Sequence, residues 1–131
     1  MLINNNTITY RWLCKTAGKG MIKMPVSITR DGDIMRAYLE GDIDHHTARV
    51  MREAIDTSAE KCHPQKMVLD FSRVAFMDSS GIGLILGRHK LMTELGGTVA
   101  VENPTAAVER MVRLAGVGKL GVMENGGSNI K

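Results

Sequence analysis

Residues 66–87 read KMVLDFSRVAFMDSSGIGLILG. The first six are almost wholly apolar and of strand length, the pattern of a strand covered on both faces or nearly so. After a short connection, SRVAFMDS, the spacing changes: Leu84, Ile85, Leu91, Met92 and Leu95 recur as one helical stripe, and Gly96-Gly97 ends it. A buried strand leading into an amphipathic helix is half of a parallel crossover, so this stretch points to an α/β sheet.

The flanking sequence repeats the theme. Upstream, PVSITRDGDIMRAYLEG from Pro25 has two alternating runs around Asp31-Gly32-Asp33, the chemistry of a tight hairpin. Asp44 stands where an N-cap is needed, and Ala48, Met51, Ala54, Ile55, Ala59 and Cys62 follow at helical spacing until Pro64. Downstream, TVAVE is a further strand, and NPTAAVERMVRLAG a third helix with Asn103 at its cap and Gly116 at its end. Val117 to Glu124 could add an edge strand. The expected architecture is a mixed sheet of four or five strands with about three helices packed on it.

The chain has 131 residues, 44% hydrophobic and 24% charged, the make-up of one folded domain. Its charge of +3 is uneven: Arg11, Lys15, Lys19 and Lys23 fall in the first 24 residues with no acid, leaving 13 basic and 14 acidic residues after them. A body that is nearly neutral, with only Tyr38, Phe71 and Phe76 as aromatics, is not a nucleic-acid surface. Residues 1–24, rich in Asn, Gly and Lys, read as a disordered extension, with Met21 and Met24 as other possible starts, and residues 124–131 read as a frayed tail. The absence of a long apolar run excludes a membrane span and leaves the cytoplasm as the expected compartment. Cys14 and Cys62 read as free thiols.

Enzyme motifs fail residue by residue. Gly118-Lys119 lacks the first glycine and the Ser/Thr of a phosphate loop, and Gly81-Ile82-Gly83 lacks the third glycine of a dinucleotide fingerprint. Met77-Asp78-Ser79-Ser80-Gly81 lacks the leading glycine of a nucleophile elbow. His45 and His46 would point about 100° apart on a helix and chelate poorly together, and they, His63 and His89 read as solvent-facing or capping. No catalytic or metal-binding residue and no cofactor of its own is expected.

What remains is Ser79 and Ser80 at a helix start. Ser80 can be an N-cap, and the glycines can serve close packing. Alternatively, Gly81 and Gly83 leave the Ser80 hydroxyl open to another protein, and Ile82 and Leu86, four apart and off the main stripe, form an apolar patch beside it.

The segments EGDIDHHTA (Glu40 to Ala48) and VLDFSRVAFMDSSGIGLILGRHK (Val68 to Lys90), the pair Gly96-Gly97 and the helix PTAAVERMVRLAGV resemble the STAS domain of bacterial anti-sigma-factor antagonists, the sporulation type above all. The likeness covers residues 25–123. It implies a STAS fold and a partner-switching protein of sigma-factor regulation rather than an enzyme. Ser80, immediately before the glycine of Asp-Ser-Ser-Gly, would be phosphorylated by an anti-sigma factor that is itself a serine kinase and supplies the ATP and Mg²⁺. Unphosphorylated antagonist would bind that kinase and free the sigma factor, and a serine phosphatase would reset it. Asp44, Asp78 and Ser79 would lie around the acceptor on the partner-facing surface, beside Gly81 and the patch of Ile82 and Leu86 that the residues themselves suggest as a docking site. The family's C-terminal helix has no counterpart in GVMENGGSNIK. Other readings are a STAS scaffold of another signalling or transport complex, with Ser80 only a cap, and a small hydrolase using Asp78, Ser80 and a histidine.

Overall fold

The computed structural model describes residues 25–117 in full, and the backbone of Leu2–Asn4 and Thr7–Tyr10. The hairpin is formed by β3 (Val26–Asp31) and β4 (Ile34–Glu40), paired from Val26↔Leu39 to Asp31↔Ile34. Gly32 takes the tight turn at φ 65°, where a side chain would be strained. Then come α1 (His45–Cys62), β5 (Lys66–Arg73), α2 (Ser79–Glu94), β6 (Thr98–Glu102) and α3 (Ala106–Leu114). β4, β5 and β6 are parallel neighbours, so α1 and α2 are crossover helices, as the alternation of patterns requires.

Two further strands, β1 (Leu2–Asn4) and β2 (Thr7–Tyr10), add to the β3 edge, β2 pairing with β3 from Thr7↔Asp31 to Tyr10↔Ile28. Of the expected four or five strands and about three helices, a four-stranded mixed sheet and three helices are therefore present, and the sheet is extended to six strands in the order β1-β2-β3-β4-β5-β6. These seven residues fall in the stretch read from the sequence as a disordered extension. Strands of three and four residues are too short to show a period, although Thr-Ile-Thr-Tyr is rich in β-formers. The tail residues Trp12 and Cys14, the possible edge strand beyond Val117 and the segment 124–131 lie outside the described residues.

One face of the sheet carries the core. Ile28, Met35, Ala37, Leu39, Met67, Leu69, Phe71, Val99 and Val101 meet Met51, Ile55 and Ala59 of α1, Leu84, Ile85 and Met92 of α2, and Val108 and Val112 of α3. The other face bears Arg36, Tyr38, Asp70 and Glu102, and Arg36 donates to Glu102 across the intervening strand at 2.7 Å. β5 reads as continuously apolar because Val68 is buried on this second face too, only 1% exposed.

α3 is capped by Thr105, whose Oγ1 accepts from the Val108 amide at 3.4 Å. Asn103, expected at that cap, instead sits at φ 52° and donates from Nδ2 to Asp70 Oδ2 at 2.9 Å. Asparagine tolerates the left-handed region, so it serves the turn and leaves the cap to the threonine.

Candidate functional site

The loops before α1 and α2 run side by side. The Ile43 amide donates to Phe76 O at 2.9 Å, the Asp78 amide donates to Ile43 O at 3.1 Å, and Ile43 and Met77 form a parallel bridge. With Ile43 fully buried and Met77 nearly so, this pairing is anchored in the core. The next residue in each loop is the N-cap of the next helix: Asp44 for α1 and Asp78 for α2.

Asp44 closes a capping box. Its Oδ1 accepts from the Thr47 amide at 2.9 Å, and Thr47 Oγ1 accepts from the Asp44 amide at 2.9 Å while donating to Asp42 O at 3.0 Å. The Thr47 amide, with the Thr47 hydroxyl and His46 assisting, holds the exposed Asp44 carboxyl below the usual carboxylate range. At α2, Asp78 Oδ1 accepts from the Ser80 amide at 2.7 Å. The cap of α2 is thus Asp78 and not Ser80: a carboxylate two residues upstream takes the amide, Ser79 becomes the first helical residue and Ser80 the second, and its hydroxyl is not needed as a cap.

Between the N-terminal halves of α1 and α2 lies a groove of about 660 Å³. α2 contributes Ser80, Gly83 and Gly87, α1 contributes His45, Ala48, Arg49 and Arg52, and Leu84 and Arg88 close the bottom. Gly83 and Gly87 leave their side of the groove open; a Cβ at either would meet nothing within 4 Å. Arg88 is 5% exposed, and its Nη2 donates to Asp56 Oδ2 at 3.1 Å with Nε 2.7 Å from Oδ1. Sequence reasoning passed over Arg88, whose signal was a cation on the buried stripe with Leu84, Ile85 and Met92.

The structure gathers Asp44, Asp78, Ser79 and Ser80 at the two paired helix starts, with Ser79 exposed and Ser80 half-buried. Gly81 is not an opening in the surface. It is buried, and a Cβ there would run into Met77 Sδ, so its small size serves the packing of α2 against the loop. Ile82 likewise departs from the expected patch, being half-buried against the core, whereas Leu86 is exposed. An aromatic that the sequence did not single out, Phe76, is 53% exposed in the loop just before Asp78. The Asp78 carboxylate, one of the three groups of the hydrolase reading, accepts from the Ser80 amide.

Residues 25–125 match the sequence profile of the STAS domain. The chain belongs to that family. This STAS domain is 31% identical over 99 residues to the anti-sigma F factor antagonist of Paenibacillus polymyxa, spanning 76% of this chain and 85% of that protein. It superposes on the anti-sigma factor antagonist SpoIIAA in its unphosphorylated form with a TM-score of 0.64 and 29% identity, over 73% of this chain and 82% of the other. The phosphorylated form of SpoIIAA from Bacillus gives 0.58 and 28%, over 73% and 85%. Among the described residues no helix of the STAS domain is long and apolar enough to cross a membrane.

Proposed function

We propose that this STAS domain is an anti-sigma-factor antagonist switched by phosphorylation of Ser80. Unphosphorylated, it binds an anti-sigma factor that is also a serine kinase, and the bound sigma factor is released. The kinase transfers the γ-phosphoryl group of Mg-ATP to Ser80 Oγ: the new O–P bond forms, the bond to ADP breaks and the hydroxyl proton leaves. A serine phosphatase hydrolyses the ester and restores binding. The observation that carries this reading is the Ser80 hydroxyl, left out of the helix cap by Asp78 and set on the rim of a groove between two helix starts, in a chain whose relatives include an antagonist known in unphosphorylated and phosphorylated forms.

Electrostatics accounts for a switch without refolding. A phosphate adds about −1.5 to −2 charges on the first turn of α2, where the helix dipole favours an anion by about 0.3–1 kcal/mol and opposes the repulsion from the Asp78 carboxylate, so the fold tolerates it. Against a partner carboxylate about 4 Å away the same charge costs on the order of 4 kcal/mol at an effective dielectric near 20, and about 1.4 kcal/mol is already tenfold in affinity.

The deciding experiment is mass spectrometry of the chain, Ser80→Ala and Ser79→Ala after incubation with anti-sigma kinases and Mg-ATP. One phosphate on the wild type and on Ser79→Ala, and none on Ser80→Ala, is the expected result. Phosphate lost only in Ser79→Ala would move the acceptor to Ser79, and no phosphate with any kinase would favour a scaffold role for the fold.

A further inference from the structure

Beside Ser80 the groove has a basic wall. His45, Arg49 and Arg52 follow one another at intervals of four and three residues along α1, so they share one side of the helix, and all three line the groove. Neither arginine is firmly held: Arg49 Nε lies 3.6 Å and Arg52 Nη2 4.0 Å from the same Glu53 Oε2, with the arginine side chains 65% and 47% exposed. The buried arginine at the bottom is in a different state, since Arg88 is matched by Asp56. The opposing wall, Ser80 with Gly83 and Gly87, leaves the space empty.

The geometry points to this groove as the receptor, within the same molecule, for the phosphoryl group on Ser80, which Arg49 and Arg52 hold with His45 as a further donor. The inference rests on the reading of Ser80 as the acceptor. The anion position at the start of α2 is already taken by the Asp78 carboxylate, 2.7 Å from the Ser80 amide, and a phosphate on the same turn is repelled from it. Across the groove the guanidinium forks match phosphate oxygens and exchange a loose contact with Glu53 for charge-assisted bonds to a dianion. Phosphorylation then does two things at once: it fills the groove, and it neutralises the basic wall that the unmodified protein presents. It also places the ester where a phosphatase competes with two arginines for it.

The test uses the full chain with phosphoserine installed at position 80 during translation, so that no kinase is required. The second ionisation of the phosphate is followed by ³¹P NMR. The titratable and charged groups around it are His45, Arg49, Arg52 and Glu53 from α1, Asp78 from the preceding loop and the Arg88–Asp56 pair below. The expected result is a pKa at least half a unit below the ordinary value of about 6, returning toward it in the double variant Arg49→Gln/Arg52→Gln, whose changes are on the surface. Removal of the phosphate by a serine phosphatase should be several-fold faster in that variant. A pKa at or above the ordinary value, or one unmoved by the double variant, overturns the inference. Because the phosphoserine is installed directly, failure of kinases to modify Ser80 would count against the proposed function alone.

Discussion

Arg88 of α2 and Asp56 of α1 form an ion pair beneath the Ser80 groove, Nη2 donating to Oδ2 at 3.1 Å with Nε 2.7 Å from Oδ1, and Arg88 Nη1 also donates to Leu84 O at 3.3 Å. The pair ties the two helices that flank the groove. Burial pushes the Asp56 carboxyl up from its usual value, and the attraction of Arg88 does not fully offset it. Removing one partner of a buried pair costs about 3 kcal/mol or more, so Arg88→Ala should lose that much in urea unfolding, and Arg88→Met with Asp56→Ala should lose less than the two single changes together. Since the folded state holds the Asp56 proton more tightly than the unfolded chain, stability contributed by this group falls as pH rises from 3.8 to the raised folded value. In Arg88→Met that window should extend further upward, which unfolding curves at stepped pH will show.

Asp70 behaves oppositely. Burial works to raise its carboxyl, but the Ser72 hydroxyl at 2.6 Å, the Ser72 amide at 2.9 Å and Asn103 Nδ2 at 2.9 Å outweigh it and hold it below the usual range. Its stabilisation is present above the unfolded value of 3.8 and is lost as pH falls through the lowered folded value. Asn103→Ala should cost about 1–2 kcal/mol at neutral pH and move the acid transition upward, with the Asp70 ¹³C carboxyl resonance titrating at a higher pH.

The glycines of α2 should respond with opposite signs. Gly81→Ala drives a Cβ into buried Met77 and should cost about 1–3 kcal/mol. Gly83→Ala and Gly87→Ala meet open space and should each add about 0.5–1 kcal/mol by helix propensity, while narrowing the groove and weakening any partner that enters it. Thermal melts and partner titrations on the same three variants separate the two effects.

Phosphorylation of Ser80 should move amide resonances around the two caps and the groove and leave those of β3, β6 and α3 in place. Shifts spread through the whole sheet would replace local blockade with a conformational mechanism.

The parts legible in the sequence were those with strong local chemistry. Asp31-Gly32-Asp33 marked the hairpin, Asp44 and Pro64 bracketed α1, and the apolar run in β5 announced a central strand. Misreadings came where two residue types competed for one task. Ser80 and Asp78 could each cap α2, and Asn103 and Thr105 could each cap α3; in both cases spacing to the first free amide decided, which a composition-level pattern does not resolve. Ile82 lies off the main stripe and is still half-buried against the core, which helical spacing alone does not reveal. Arg88 could not be placed without Asp56, 32 residues away.

The position of Ser80 as the second residue of α2 bears on how an enzyme would recognise it. Protein kinases that read an extended peptide need several residues on either side of the acceptor to unwind, but here the upstream residues are stitched to Ile43 and the downstream ones are coiled on the core. An enzyme acting at Ser80 must dock on a folded, helical acceptor, with substrate identity written in a surface assembled from two distant stretches of chain. A synthetic peptide copying residues 72–87 would lack that surface and make a poor substrate, however faithful its sequence.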